Sequence, residues 1–194
     1  MRRLVFGGSF NPIHHGHLLC SRAVAEKAGF DRITLIPSAQ PPHKSAASVA
    51  ASADRLAMCQ LAVAGDPLFE VDDIEIHRQG SSFSFDTAAE LTARDNGPVH
   101  WLIGADMLMY LPKWYRAIEL LNKIDFVVIA RPGWTLDWET LPSEFRHLRD
   151  NVVEAPLIEI SASDIRARVA VGRPVRYMMP DAVCEYIEKR GLYR

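Results

Sequence analysis

Strand-like and helix-like segments alternate from one end of this chain to the other, and that alternation limits the fold more than any other feature. Short apolar runs at Leu4-Val5-Phe6, Arg32 to Ile36, Phe69 to Ile76, Val99 to Ile103 and Asp125 to Ala130 read as strands, with Leu157 to Ile160 as a short final one. Between them, His15 to Ala28, Asp54 to Ala64, a stretch opening at Ser84 and running through Arg94, and Trp114 to Asn122 carry helical periodicity. Gly29 marks a helix end, while Ser52 and Ser84 mark caps. Strands separated by helices must be joined by crossovers, which produces a parallel sheet covered on both faces. The expectation is an α/β, Rossmann-like doubly wound sheet in 3-2-1-4-5 order, read as a single domain over residues 1–194. Two further helices, one after Ser161 and one opening at Pro180, form a small C-terminal helical portion over about residues 161–194.

In that order strands one and four are neighbours where the winding reverses, and ligands bind outside their carboxyl ends. The two most distinctive turns of the chain fall there. Gly7-Gly8-Ser9-Phe10-Asn11-Pro12-Ile13-His14-His15-Gly16-His17 follows strand one, and Gly104-Ala105-Asp106 follows strand four. The glycines permit angles that a side chain forbids, so peptide N–H groups can approach an anion. A helix entrance at His14 or His15 adds free N–H groups and a partial positive charge. His14 and His17 are three apart, which puts both rings on one face of the first turn. A polyphosphate is the natural occupant. The turn is neither a Walker loop nor a G-x-G-x-x-G fingerprint, and the histidines lack the Cys pair or H-E-x-x-H spacing that would indicate zinc, so no protein-bound metal is expected.

A net charge of −2 gives no global attraction to nucleic acid or anionic membrane, so anion binding must come from locally placed groups. Cys20, Cys59 and Cys184 are odd in number, far apart and set in helix-like segments. They read as free thiols of a cytosolic protein. Met1 leads directly into strand-like sequence without an apolar signal core, and no run is long enough to cross a bilayer. Pro37 to Ser52, a long loop rich in Pro, Ser and Ala, is longer than a connection requires and reads as a binding segment. Arg131 to Asn151 reads as an irregular excursion with some helical content.

Gly7 to Leu18 resembles the G-G-T-F-D-P-x-H-x-G-H signature of the HxGH nucleotidyltransferase superfamily, and Ile160-Ser161-Ala162-Ser163-Asp164-Ile165-Arg166 resembles its second signature, I-S-x-T-x-I-R. Pro41-Pro42-His43-Lys44, Ser82 to Thr87, Gly104-Ala105-Asp106, Trp114-Tyr115, Ala130-Arg131-Pro132-Gly133 and the closing Gly191-Leu192-Tyr193-Arg194 are similar to bacterial nicotinate-nucleotide adenylyltransferases. The resemblance implies transfer of AMP from ATP to nicotinate mononucleotide in NAD biosynthesis, with Mg²⁺ carried by ATP and small molecules as the partners. It implies that His14, His17, Lys44 and Arg166 are catalytic, and that Gly7, Gly8, Ser9, Phe10, Gly104, Asp106, Ser161 and Ser163 join His14, His17 and Arg166 in binding ATP. Ser84, Trp114, Tyr115, Arg131 and Lys44 are implied for the acceptor. Plainer readings stand beside these: Lys44 as a solvated lysine, Asp106 as a helix cap, Trp114 as core and Arg131 as part of an Arg-Pro-Gly turn. Related enzymes acting on nicotinamide mononucleotide or phosphopantetheine share the phosphate signatures, as would a nucleotide-binding regulator without turnover. Asn11 stands where the family commonly has Asp, Ser9 and Ser163 where Thr is common, and Phe83 and Ser84 where Tyr and Thr are common.

Overall fold

The computed structural model describes residues 1–40, 49–78, 80–95, 97–130, 135 and 137–194. Six parallel strands form one sheet: β1 (Arg3–Gly8), β2 (Arg32–Pro37), β3 (Phe69–Val71), β4 (His100–Gly104), β5 (Asp125–Ala130) and β6 (Val152–Glu154). Their order is β3-β2-β1-β4-β5-β6, the expected doubly wound arrangement extended by one strand. The helices are α1 (His15–Ala28), α2 (Ser52–Val63), α3 (Ser84–Asp95), α4 (Ala105–Leu108), α5 (Ala117–Leu121), α6 (Ala162–Ala170) and α7 (Asp181–Arg190). None of the described helices is long and apolar enough to cross a membrane.

Alternate strand residues serve opposite faces of the sheet. Leu4, Leu102 and Val127 join one buried cluster with Val24 and Ala25 of α1, Met58 and Cys59 of α2, Ile165 of α6, and Val183 and Ile187 of α7. Their neighbours Val5, Trp101, Ile103, Phe126 and Val128 join a second cluster with Ala88 and Leu91 of α3, Leu108 of α4 and Leu120 of α5. The C-terminal helices therefore pack into the same core as the first sheet face.

Five element boundaries differ from expectation. β3 stops at Val71 because Asp72 and Asp73 turn the chain: Asp72 Oδ1 accepts from Ile74 N at 3.0 Å, and Asp73 O accepts from Ile76 N at 2.8 Å. Asp side chains offer the backbone partners that a strand ladder would otherwise supply. The last strand is Val152–Glu154, paired with Val128 to Ala130, and not Leu157 to Ile160. Pro156, which has no N–H to donate, follows this strand, and Leu157 beyond it is 57% exposed. The helix expected at Trp114 is a 3₁₀ turn at Leu111–Lys113 followed by α5, leaving Trp114 and Tyr115 in the connection. Ser52 and Ser84 are the first residues of α2 and α3 instead of their caps.

Candidate active site

β1 and β4 pair directly, so the turns after Gly8 and Gly104 leave the same edge of the sheet. The glycines act through close approach and not through unusual angles. A Cβ on Gly7 would lie 2.7 Å from Trp101 Cζ2, and one on Gly8 would lie 3.1 Å from the Phe10 ring. The residue with positive φ is Phe10, at 40°, with its ring 2% exposed and edge-on to Phe6 and His17 at 5.4 and 5.2 Å. A bulky residue adopts that angle only where its surroundings hold it.

His14 occupies the N-cap of α1 in extended conformation, and its ring stacks on that of His17 with centroids 3.7 Å apart. His14 N donates to His17 Nδ1 at 3.3 Å. A neutral His17 then carries its proton on Nε2, the nitrogen able to donate to a ligand. The His14 ring is 5% exposed; burial, helped by neighbouring His15, pushes its pKa down to about 4, so at neutral pH it is uncharged. Its Nδ1 is buried against Gly16 and faces the backbone N–H of His17 in a capping-box arrangement, short of a full hydrogen bond. Gly16 makes room for this ring: a Cβ there would sit 3.0 Å from the imidazole and 3.4 Å from Ile160 O. The entrance of α1 is less open than the sequence suggests, since His15 N already donates to Met178 O at 3.0 Å.

α6 brings the second signature to the same turn. Arg166 Nη1 donates to Asn11 O at 2.9 Å across 155 residues of sequence. Ser161 caps α6, its Oγ accepting from Asp164 N at 3.1 Å and lying 3.2 Å from Ser163 Oγ. Arg166 and Ser163 line a cleft of about 570 Å³ with Ala50, Tyr193 and Arg194. That cleft adjoins the α6 side of the turn and does not include the two imidazoles. At the other turn, Asp106 folds back so closely over Gly104 that a Cβ there would collide with its Oδ1.

On the second sheet face, Ser84 opens α3 between Phe83 and Phe85, and both rings meet Tyr115, at 4.6 and 6.3 Å. Tyr115 is half exposed, and the Arg116 guanidinium lies 3.9 Å above Phe85. Trp114 packs against the second cluster with its Nε1 buried and unpartnered. Ser82 Oγ accepts from Ala39 N and Gln40 N at 3.0 and 3.2 Å, tying the segment before α3 to the residues that follow β2. Buried Glu75 accepts from Thr87 Oγ1 at 2.7 Å, and desolvation raises its pKa above the ordinary carboxylate value. Lys44 and Arg131 lie outside the described residues.

Sequence reasoning missed three groups that hold the turn. Asn11, 2% exposed, accepts at Oδ1 from Ala50 N at 3.0 Å and from Tyr193 Oη at 2.8 Å. It is a structural hub and not simply a lost charge beside the phosphates. Tyr193 ties the C-terminus to that hub, and burial drives its phenol pKa upward. Arg55, 1% exposed, donates to Ser9 O, Ala39 O and Ala50 O at 2.8, 2.9 and 3.0 Å. Its signal was present: Arg55, Met58 and Cys59 share one helical face, so a cation stands among core residues.

The cytidylyltransferase-like family model matches residues 5–168. The chain is 42% identical over 190 residues to the "Probable nicotinate-nucleotide adenylyltransferase" of Geobacillus kaustophilus (strain HTA426), covering 97% of this chain and 84% of the relative. It is 40% identical over 190 residues to the nicotinate-nucleotide adenylyltransferase of Bacillus subtilis (strain 168), covering 97% and 96%. Among solved structures, the Plasmodium falciparum nicotinic acid mononucleotide adenylyltransferase complexed with NaAD shares the fold, with a TM-score of 0.77 at 17% identity over 100% of this chain and 98% of that one. With whole-chain identity at this level and both nucleotidyltransferase signatures meeting at one sheet edge, the chain belongs to the nicotinate-nucleotide adenylyltransferase family.

Proposed function

We infer that the crevice between the β1 and β4 turns holds ATP for attack by the phosphate of nicotinate mononucleotide. The reaction transfers AMP: an acceptor phosphate oxygen forms a bond to the α-phosphorus of ATP, the bond to the bridging oxygen breaks, and deamido-NAD and pyrophosphate leave. The attacking oxygen is already anionic, so no side chain need remove a proton. Catalysis is then in-line positioning, which can remove about 7–11 kcal/mol of barrier, together with donors aimed at developing charge.

His17 donates from Nε2 to the α- or β-phosphate, with the His14 ring stacked beside it at the same triphosphate. Ser161, Ser163 and Arg166 receive the β- and γ-phosphates at the opening of α6; Arg166 commits one N–H to Asn11 O and has five in all. These donors suit phosphate oxygens and not Mg²⁺, which prefers anionic oxygens and water. Mg²⁺ therefore enters with ATP, held by the triphosphate, and neutralises part of its charge. Asp106, folded over Gly104 at the other turn, contacts the ATP ribose. On the acceptor side, the N–H groups at the start of α3 near Ser84 face the nicotinate carboxylate, Trp114 and Tyr115 flank the pyridine ring, and Lys44 and Arg131 serve its phosphate. The protein works in the cytoplasm on these small molecules.

The observation that carries this reading is the Arg166 to Asn11 contact, which joins two signatures far apart in sequence at one turn. Pyrophosphate release with nicotinate mononucleotide, nicotinamide mononucleotide and phosphopantetheine as competing acceptors tests it. The nicotinate nucleotide should be fastest, and His17→Ala should lower turnover about a hundredfold, the scale of losing one preorganised donor. A faster rate with another acceptor would replace the substrate, and a folded His17→Ala protein of normal turnover would remove the histidine's role.

A further inference from the structure

Arg55 is among the largest fully buried side chains of the protein and faces three backbone carbonyls. A buried guanidinium is costly unless its donors are matched, and an ion pair is the usual solution. Here each of its hydrogen bonds among the described residues ends on the main chain, and the three acceptors lie together: Ser9 in the turn after β1, Ala39 shortly after β2, and Ala50 just before α2.

The contact to Ser9 O matters most. In a trans peptide the C=O and N–H point in opposite directions. Drawing Ser9 O onto the buried guanidinium therefore turns the Phe10 N–H to the opposite side. Phe10 has a φ of 40°, a strained angle that its own preferences would not maintain. A charge-assisted hydrogen bond to Ser9 O supplies the missing restraint and polarises the same peptide, strengthening its N–H as a donor.

We propose that Arg55 is a positioning residue that fixes the plane of the Ser9–Phe10 peptide so that the Phe10 N–H is aimed at an ATP phosphate, with Ala39 and Ala50 held to the same cation. The proposal rests on the reading that this turn holds the triphosphate. Arg55→Lys keeps the charge and a buried stem, but a compact ammonium cannot span three carbonyls as a planar fork does.

The Phe10 amide proton, followed by NMR in labelled protein, should move downfield when a non-hydrolysable ATP analogue binds. In Arg55→Lys that movement should vanish, kcat should fall about a hundredfold as for a roughly 1 Å misplacement, and KM for ATP should rise while that for nicotinate mononucleotide stays within about twofold. A folded Arg55→Lys protein with normal kcat, or with the Phe10 response intact, overturns the proposal. A wild-type Phe10 amide that ignores the analogue refutes the phosphate turn itself, which separates the two failures. Should Arg55→Lys not fold, the wild-type guanidinium N–H signals are read instead: a phosphate on Phe10 N–H polarises the Ser9 carbonyl and shifts them. Unmoved Arg55 signals beside a moving Phe10 amide also overturn the proposal.

Discussion

His14 makes the stability of this enzyme depend on pH in a calculable way. Its imidazole has an ordinary pKa of 6.5, held down to about 4 in the folded protein, first by desolvation and then by the charge of His15. Between those values the unfolded chain binds a proton that the folded chain refuses, so stability is complete above about pH 6.5 and drains away as pH falls toward 4. At about 1.36 kcal/mol per pH unit the full loss is roughly 3 kcal/mol, of which about 2 kcal/mol is gone by pH 5. For a chain of this size 2 kcal/mol corresponds to about 4–8 °C in melting temperature. Urea unfolding of wild type and His14→Asn at pH 8 and pH 5 isolates this contribution, because every other titrating group is common to both proteins. The wild type should lose about 2 kcal/mol more than the variant between the two pH values. ATP should act in the opposite sense: phosphate beside the ring favours the imidazolium, so binding near pH 5.5 should take up a proton, visible by calorimetry in buffers of different ionisation enthalpy. If His14→Asn weakens as steeply in acid as the wild type, the buried neutral imidazole is not what titrates.

Gly16→Ala should separate activity from stability. Alanine favours a helix over glycine by up to about 1 kcal/mol, yet its Cβ would press the His14 ring from 3.0 Å, so kcat should fall at least about tenfold while the melting temperature moves by only a few degrees; wild-type kcat would show that the ring's place is immaterial. Trp114→Ala should raise KM for nicotinate mononucleotide about tenfold or more, the scale of one lost aromatic contact with its burial, and change KM for ATP less than twofold; equal changes in steady-state kinetics would reject Trp114 as the acceptor platform.

How far the sequence could be read depended on whether a residue's partners were near it in the chain. The strand pattern was legible because Leu4 and Val5, or Trp101 and Leu102, alternate between two apolar faces, and the order followed from joining such strands by helices. Boundaries set by a single side chain were not: Asp72 ends β3 by turning its carboxylate onto Ile74 N, and Val152 to Glu154 lack the apolar run that marks the other strands. The turn after β1 was visible as glycines and histidines, but Gly7 and Gly8 were read as permitting angles that a side chain forbids when they admit the Trp101 and Phe10 rings. The stacking of His14 on His17 followed from their spacing. The bonds from Asn11 to Ala50 and Tyr193 join partners 39 and 182 residues apart, which no local pattern encodes.

The doubly wound sheet also sets the two proposed half-sites on separate apolar clusters. β1 sends its chain into α1 on the face carrying α2, α6 and α7, and three side chains from that side hold the turn after β1: Arg55, Arg166 and Tyr193. β4 sends its chain into α4 on the opposite face, where α3, Trp114 and Tyr115 assemble around a different core. Each proposed half-site is thus fixed by its own cluster, while the paired strands β1 and β4 keep the two at one spacing. Ser82 links the two sides, joining the segment before α3 to Ala39, whose carbonyl Arg55 also holds. Because the reaction needs alignment more than acid–base chemistry, the spacing that the β1–β4 pairing sets between the two proposed halves should matter to catalysis. Substitutions that loosen either cluster far from the crevice should therefore lower kcat before they unfold the protein.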